Sequence, residues 1–93
     1  MLFILNSLDP DKRTEISVLG GDEDKSILLY GDAVYYATSA MIGKLSRLEP
    51  EEIFASQDAL AARNISPDGS VEAVDYERMA EMIVEDHDRV VSL

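Results

Sequence analysis

Four short apolar runs, each followed within a few residues by a side chain suited to opening a helix, constrain this chain more than any other feature. They are Leu2–Leu5, Ile27–Tyr30, Glu52–Ala55 and Val71–Val74. Leu2-Phe3-Ile4-Leu5 shows no polar alternation, the pattern of a strand covered on both faces rather than on one. Asp9-Pro10 follows it, an N-cap with proline at the first helical position, where a missing N–H costs nothing. A helix is expected from there to about Leu19, closed by Gly20-Gly21, although only Ile16, Val18 and Leu19 give it apolar surface. Ile27-Leu28-Leu29-Tyr30 is the clearest buried strand, and Gly31-Asp32 ends it and caps a helix running to about Leu45.

Val34, Ala37 and Met41 then share one helical face. Tyr36, about 200° from Val34 at 100° per residue, is expected to point away from it. Glu52 to Ala55 forms the third strand and leads through Ser56 or Asp58 into a helix ending near Arg63, with Asn64 in its closing turn. Pro67-Asp68-Gly69 is a turn before the fourth strand. Asp75 caps the most amphipathic helix, in which Tyr76, Met79, Ala80 and Ile83 make one stripe expected to be core. Arg89 to Leu93 is β-prone and forms a possible fifth strand. Strands alternating with helices indicate an α/β fold: a single domain over residues 1–93, with a mainly parallel four- to five-stranded sheet and helices on both faces.

Composition narrows the function. The 93 residues carry 19 acidic and 8 basic side chains, a formal charge of -11, which repels nucleic-acid phosphates and anionic membranes. Direct nucleic-acid binding is therefore disfavoured. The acidic surface reads first as a solubility device, and the docking of a basic partner stays open. There is no cysteine, which excludes a disulfide, a thiolate metal site and a persulfide carried by this chain. Met1 to Leu5 is too short and lacks the basic flank of a signal peptide, and no run approaches a membrane span, so a cytoplasmic location is expected.

The strand ends carry Asn6, Ser7, Asp32, Ser56, Asp58 and Asp75. Asp32, Asp58 and Asp75 could together hold a divalent cation or act as acid and base, but capping of their own helices explains them more simply. A phospho-receiver site would need acidic residues directly after the first strand and a lysine after the last, and neither is there. Gly20-Gly21 lacks the spacing of a phosphate-binding loop. Asp22-Glu23-Asp24 opens like a calcium loop but has Ile27 where glycine is needed, so it reads as a solvated turn. His87, between two aspartates, is read as a cationic residue in the last turn of a helix. No catalytic residue, cofactor or metal ligand is assigned.

Four segments in order resemble the DsrH/TusB family of sulfur-relay subunits. They are Met1-Leu2-Phe3-Ile4-Leu5-Asn6-Ser7, Ile27 to Ala37 (Ile-Leu-Leu-Tyr-Gly-Asp-Ala-Val-Tyr-Tyr-Ala), Asp58-Ala59-Leu60-Ala61-Ala62-Arg63-Asn64, and Val74-Asp75-Tyr76 leading to His87-Asp88-Arg89-Val90. The resemblance implies a flavodoxin-like fold and a place beside DsrE/DsrF-like (TusD/TusC-like) subunits. Such complexes hand persulfide sulfur toward 2-thiolation of the tRNA wobble uridine or within dissimilatory sulfur metabolism. Some members carry a cysteine in the first helix; the nearest position here is Ser17, which cannot form a persulfide. What remains is a non-catalytic supporting subunit, with Tyr35 and Tyr36 as candidate interface residues. A homo-oligomer of separate role and a carboxylate-based metal-binding domain stand as alternatives.

Overall fold

The computed structural model describes residues 1–86 and 89–93. Five parallel strands, β1 (Leu2–Leu5), β2 (Ser26–Leu29), β3 (Glu52–Ser56), β4 (Val71–Val74) and β5 (Val90–Ser92), form one sheet in the order β4-β3-β2-β1-β5. The α/β class, the parallel sheet and the fifth strand are as the sequence predicts. The layered flavodoxin-like α/β arrangement is also as expected; only the strand order within it differs from the 2-1-3-4-5 of flavodoxin itself. Register pairs Phe3 with Ile27 and Ile27 with Ile53, so the apolar rows of the central strands lie side by side.

Three crossovers step in one direction across the sheet and pack on one face. They are α1 (Pro10–Gly20), the segment from Gly31 to Ser46, and α3 (Gln57–Ala62). Beneath them Phe3, Leu5, Ile27, Leu29, Ile53, Ala55 and Val71 meet Ile16, Val34, Tyr36, Leu45 and Leu60 in the larger core. The fourth crossover, α4 (Tyr76–Glu81) continuing into a wide π-helical turn over Met82–Asp86, returns across the opposite face. There Leu2, Ile4, Leu28, Phe54 and Val74 pack on Met82 and Met79. Helices therefore lie on both faces, but unequally.

The caps behave largely as expected. The Asp9 carboxylate accepts from the Asp11 N–H at 2.9 Å, Ser56 Oγ from Ala59 N–H at 3.2 Å, and Asp75 from Arg78 N–H at 2.8 Å. Gly21 closes α1, its N–H donating to the Ser17 carbonyl at 3.2 Å. The second connection departs from expectation. In place of one helix to Leu45 there is a 3-10 helix over Gly31–Ala37, a break at Thr38, and a single α-helical turn, α2 (Gly43–Ser46). Thr38 Oγ1 donates to the Tyr35 carbonyl at 2.9 Å and Ser39 Oγ to Asp68 at 2.9 Å, hydroxyl bonds that compete with a continuing helix. Nor does Asp32 cap this element, whose N-cap is Tyr30 without a side-chain bond.

The same change corrects Tyr36. At three residues per turn, residues three apart eclipse, so Ala33 stacks on Tyr36 and Val34 on Ala37, leaving Asp32 and Tyr35 on the third ridge. Tyr36 is accordingly 1% exposed, and Tyr35 is 40% exposed. The Tyr36 hydroxyl donates to the Leu8 carbonyl at 3.1 Å, and the Arg13 guanidinium lies 5.7 Å from its ring centroid. Removing the hydroxyl alone, in Tyr36→Phe, should lower stability by about 1 kcal/mol by urea unfolding, because the part-buried bond to the Leu8 carbonyl is lost. An unchanged midpoint would show that bond to be idle.

Asp68 ties the loop before β4 to the segment after the 3-10 helix. Its carboxylate accepts from Ser70 Oγ at 2.6 Å, from Ser70 N–H at 3.0 Å and from Ser39 Oγ at 2.9 Å, and its own N–H donates to the Ala37 carbonyl at 2.7 Å. Those bonds, the Ser70 hydroxyl foremost, hold its pKa below the ordinary value of 3.8. A carboxylate depressed in the folded state contributes stability above its unfolded pKa and loses it as pH falls through the folded one. Wild type should therefore lose stability below about pH 4 more steeply than Asp68→Asn, as read from chemical denaturation at a series of pH values. Parallel curves would remove Asp68 from the acid response.

Candidate functional site

The carboxyl ends of the strands, where ligands of open parallel sheets gather, do not bring the three aspartates into a common task. Asp75 is engaged as the α4 cap. Asp32 accepts from Arg63 Nη2 at 2.9 Å, joining the start of the 3-10 helix to the end of α3, while Arg63 Nη1 donates to the Ala59 carbonyl at 3.2 Å. Asp58 sits in the first turn of α3, after the Ser56 cap, and is exposed. Among the described residues no three acidic or histidine side chains gather as a metal would require. The expectation for His87 lies outside the described residues. Asp22 to Asp24 are exposed, at the turn between α1 and β2.

What occupies this edge instead is an apolar groove of about 660 Å³ on the α4 face. Its floor is Ile4 and Leu28. One wall is Tyr30-Gly31 with Ser56, Asp58 and Ala59 at the start of α3, and the other is Tyr76, Met79, Ala80, Ile83 and Val84. Gly31 makes the first wall possible: its φ of +55° is a left-handed conformation, and the Asn6 carbonyl oxygen lies 3.4 Å from where a Cβ would stand. A side chain there would be strained by the left-handed backbone, while its Cβ would meet the Asn6 carbonyl at ordinary contact distance.

The stripe predicted as core is thus the wall of an open groove. Tyr76 is 75% exposed, Ile83 41% and Val84 77%, and Met79 alone of the predicted four packs against the core. Met79 and Met82, three residues apart on one side of this crossover, both meet the sheet, and it is Met82, not Ile83, that is directed into it. Met82 is fully buried. Sequence periodicity found the stripe but could not tell which side of it meets the sheet. Tyr30, read only as the end of a strand, was the part of this surface that periodicity missed.

A second, polar recess of about 470 Å³ opens at the amino end of the sheet and contains Ser17. Ser17 lies exposed in the C-terminal half of α1, among Asp22, Glu23, Asp24, Glu49 and Glu51, with Lys25 and Arg47 as the basic residues of the lining. Lys25 is largely buried, and its ammonium donates to the Gly21 carbonyl at 3.4 Å. Five carboxylates and the negative end of a helix dipole surround a position where a reactive thiolate would need positive charge.

These elements define a small α/β domain whose parallel sheet is thickly covered on one face and carries an open apolar groove on the other. It belongs to the DsrH-like family, whose description, "DsrH like protein", matches residues 13–90. No curated protein matches the chain. Among the described residues, no helix is long and apolar enough to cross a membrane.

The recess makes a prediction about the missing thiol. In Ser17→Cys the thiol should titrate at or above about 8.5, the value of a free cysteine, when its alkylation by iodoacetamide is followed against pH. A midpoint below about 7 would mean that Lys25 and Arg47 outweigh the carboxylates.

Proposed function

We propose that this chain, taken as one DsrH-like domain over residues 1–93, is a non-catalytic subunit of a heteromeric sulfur-relay complex. It supports cysteine-bearing DsrE/DsrF-like (TusD/TusC-like) subunits that pass persulfide sulfur toward tRNA wobble-uridine 2-thiolation or within dissimilatory sulfur metabolism, in the cytoplasm. The observation that carries this reading is the combination of family membership with a chain that has no thiol. Persulfide transfer proceeds by attack of a thiolate on sulfur, and a serine hydroxyl at position 17 neither attacks nor carries. The acidic surroundings of Ser17 agree with a position free of selection for thiolate chemistry. Tyr35, exposed on the outer ridge of the 3-10 helix, is a candidate contact with such partners; Tyr36, which is buried, is withdrawn from that role.

The test is to purify the tagged chain gently from its source organism, identify stoichiometric companions by mass spectrometry, and load the mixture with radiolabelled sulfane sulfur. Small cysteine-bearing relatives should co-purify and take up label, this chain should take up none, and its depletion should reduce transfer between the others by tenfold or more, on the order of 1.4 kcal/mol in transition-state terms. Recovery of this chain alone, as an oligomer of itself, would replace the relay reading with a homo-oligomer of separate role.

A further inference from the structure

The groove on the α4 face is built like a receptor for a helix, and its rims specify the charge of that helix. Its apolar wall runs from Tyr76 to Val84, about 12 Å or two helical turns at 1.5 Å per residue. Isolated exposed apolar residues need no explanation, but Tyr30, Tyr76, Ile83 and Val84, all exposed, stand together over one cavity with half-buried Met79. Glu77, Glu81 and Glu85, all exposed, each follow by one position a residue of that wall, Tyr76, Ala80 and Val84, and so border it at intervals of four without lining it, while Asp58 is part of the opposite wall. The basic side chain of this segment, Arg78, lies 3.4 Å from Glu81. The remaining basic residues belong to other parts of the fold: Lys12 and Arg13 on α1, Lys25 before β2, Lys44 and Arg47 around α2, Arg63 at the end of α3, and Arg89 before β5.

We propose that this groove binds an amphipathic helix of a partner protein, about two turns of which present apolar side chains flanked by lysine or arginine. The apolar stripe supplies the buried centre, and the acidic rims set polarity and orientation, the division of labour expected of helix-in-groove recognition. A second copy of this chain is the poorer occupant. Its net charge is also -11, and pairing two grooves face to face would bring Glu77, Glu81 and Glu85 of each against like charges. The groove would select such a helix whether or not the partner is a relay subunit.

The probe is a fluorescein-labelled helical peptide of about four turns, with leucines at i, i+3, i+4 and i+7 and lysines on both flanks of that face, beside an otherwise identical peptide flanked by glutamates. Each is titrated with the full chain and followed by fluorescence anisotropy. The lysine peptide should bind saturably, at least tenfold tighter than the glutamate peptide. Binding should fall tenfold or more in Ile83→Asp and in Val84→Asp, two exposed positions whose variants should keep the wild-type circular-dichroism melt. Glu77→Lys with Glu85→Lys should reverse the preference between the two peptides. Equal binding of both peptides, no saturable binding of either, or lysine-peptide binding unchanged in Ile83→Asp would overturn the proposal. So would a sedimenting dimer that Ile83→Asp dissolves, since the groove would then belong to a second copy. None of these results bears on whether cysteine-bearing relatives co-purify, so the two readings fail separately.

Discussion

Everything in this fold follows from strands that all run the same way. A parallel neighbour cannot be reached by a tight hairpin, so each connection must travel the length of the sheet and return on one of its faces. The chain meets that demand with connections of 14 to 22 residues, and their economy shapes the rest. Three of them stack on one face and enclose Phe3, Ile27, Ile53 and Tyr36; one is left to cover the other. The β2-to-β3 connection is the clearest case. It divides its work between a 3-10 helix and a single α-helical turn, with Asp68, Ser39 and Thr38 holding the joint.

The sheet was legible because its signals are local. Leu2–Leu5 is apolar throughout, and the caps Asp9, Ser56 and Asp75 act by short-range hydrogen bonds that residue type announces. Strand order was not legible, because no residue in β5 states that it will lie beside β1. Helix type was equally hidden. From Gly31 to Ala37 an α-helical and a 3-10 phase differ by about 20° per residue, enough over a few positions to turn Tyr36 from surface to core.

The groove shows what periodicity can and cannot do. A stripe at helical spacing reports that a helix has an apolar side; what that side faces depends on how far the helix must span and how its last turn is wound. In the last crossover the sheet takes Met82 and leaves Ile83 and Val84, just beyond α4, outside. The aspartates illustrate the converse. Asp32, Asp58 and Asp75 sit at one edge of the sheet, as strand ends require, yet one binds an arginine, one lines the groove and one caps a helix. Sharing an edge is weaker than sharing a site.

The place of β5 has a consequence for the order in which the sheet is assembled. Strands β1 to β4 are adjacent in sequence and in space, so a growing chain can add them one after another as the ribosome releases them. β5 breaks the sequence: it pairs Val90 with Leu2, closing nearly the largest loop the chain can make. Until that closure β1 keeps a bare edge, and the face that receives Met82 lacks its crossover. Any opening of the last crossover therefore bares the edge of the most apolar strand and uncovers the face that holds Met82, so the chain's last strand guards its first.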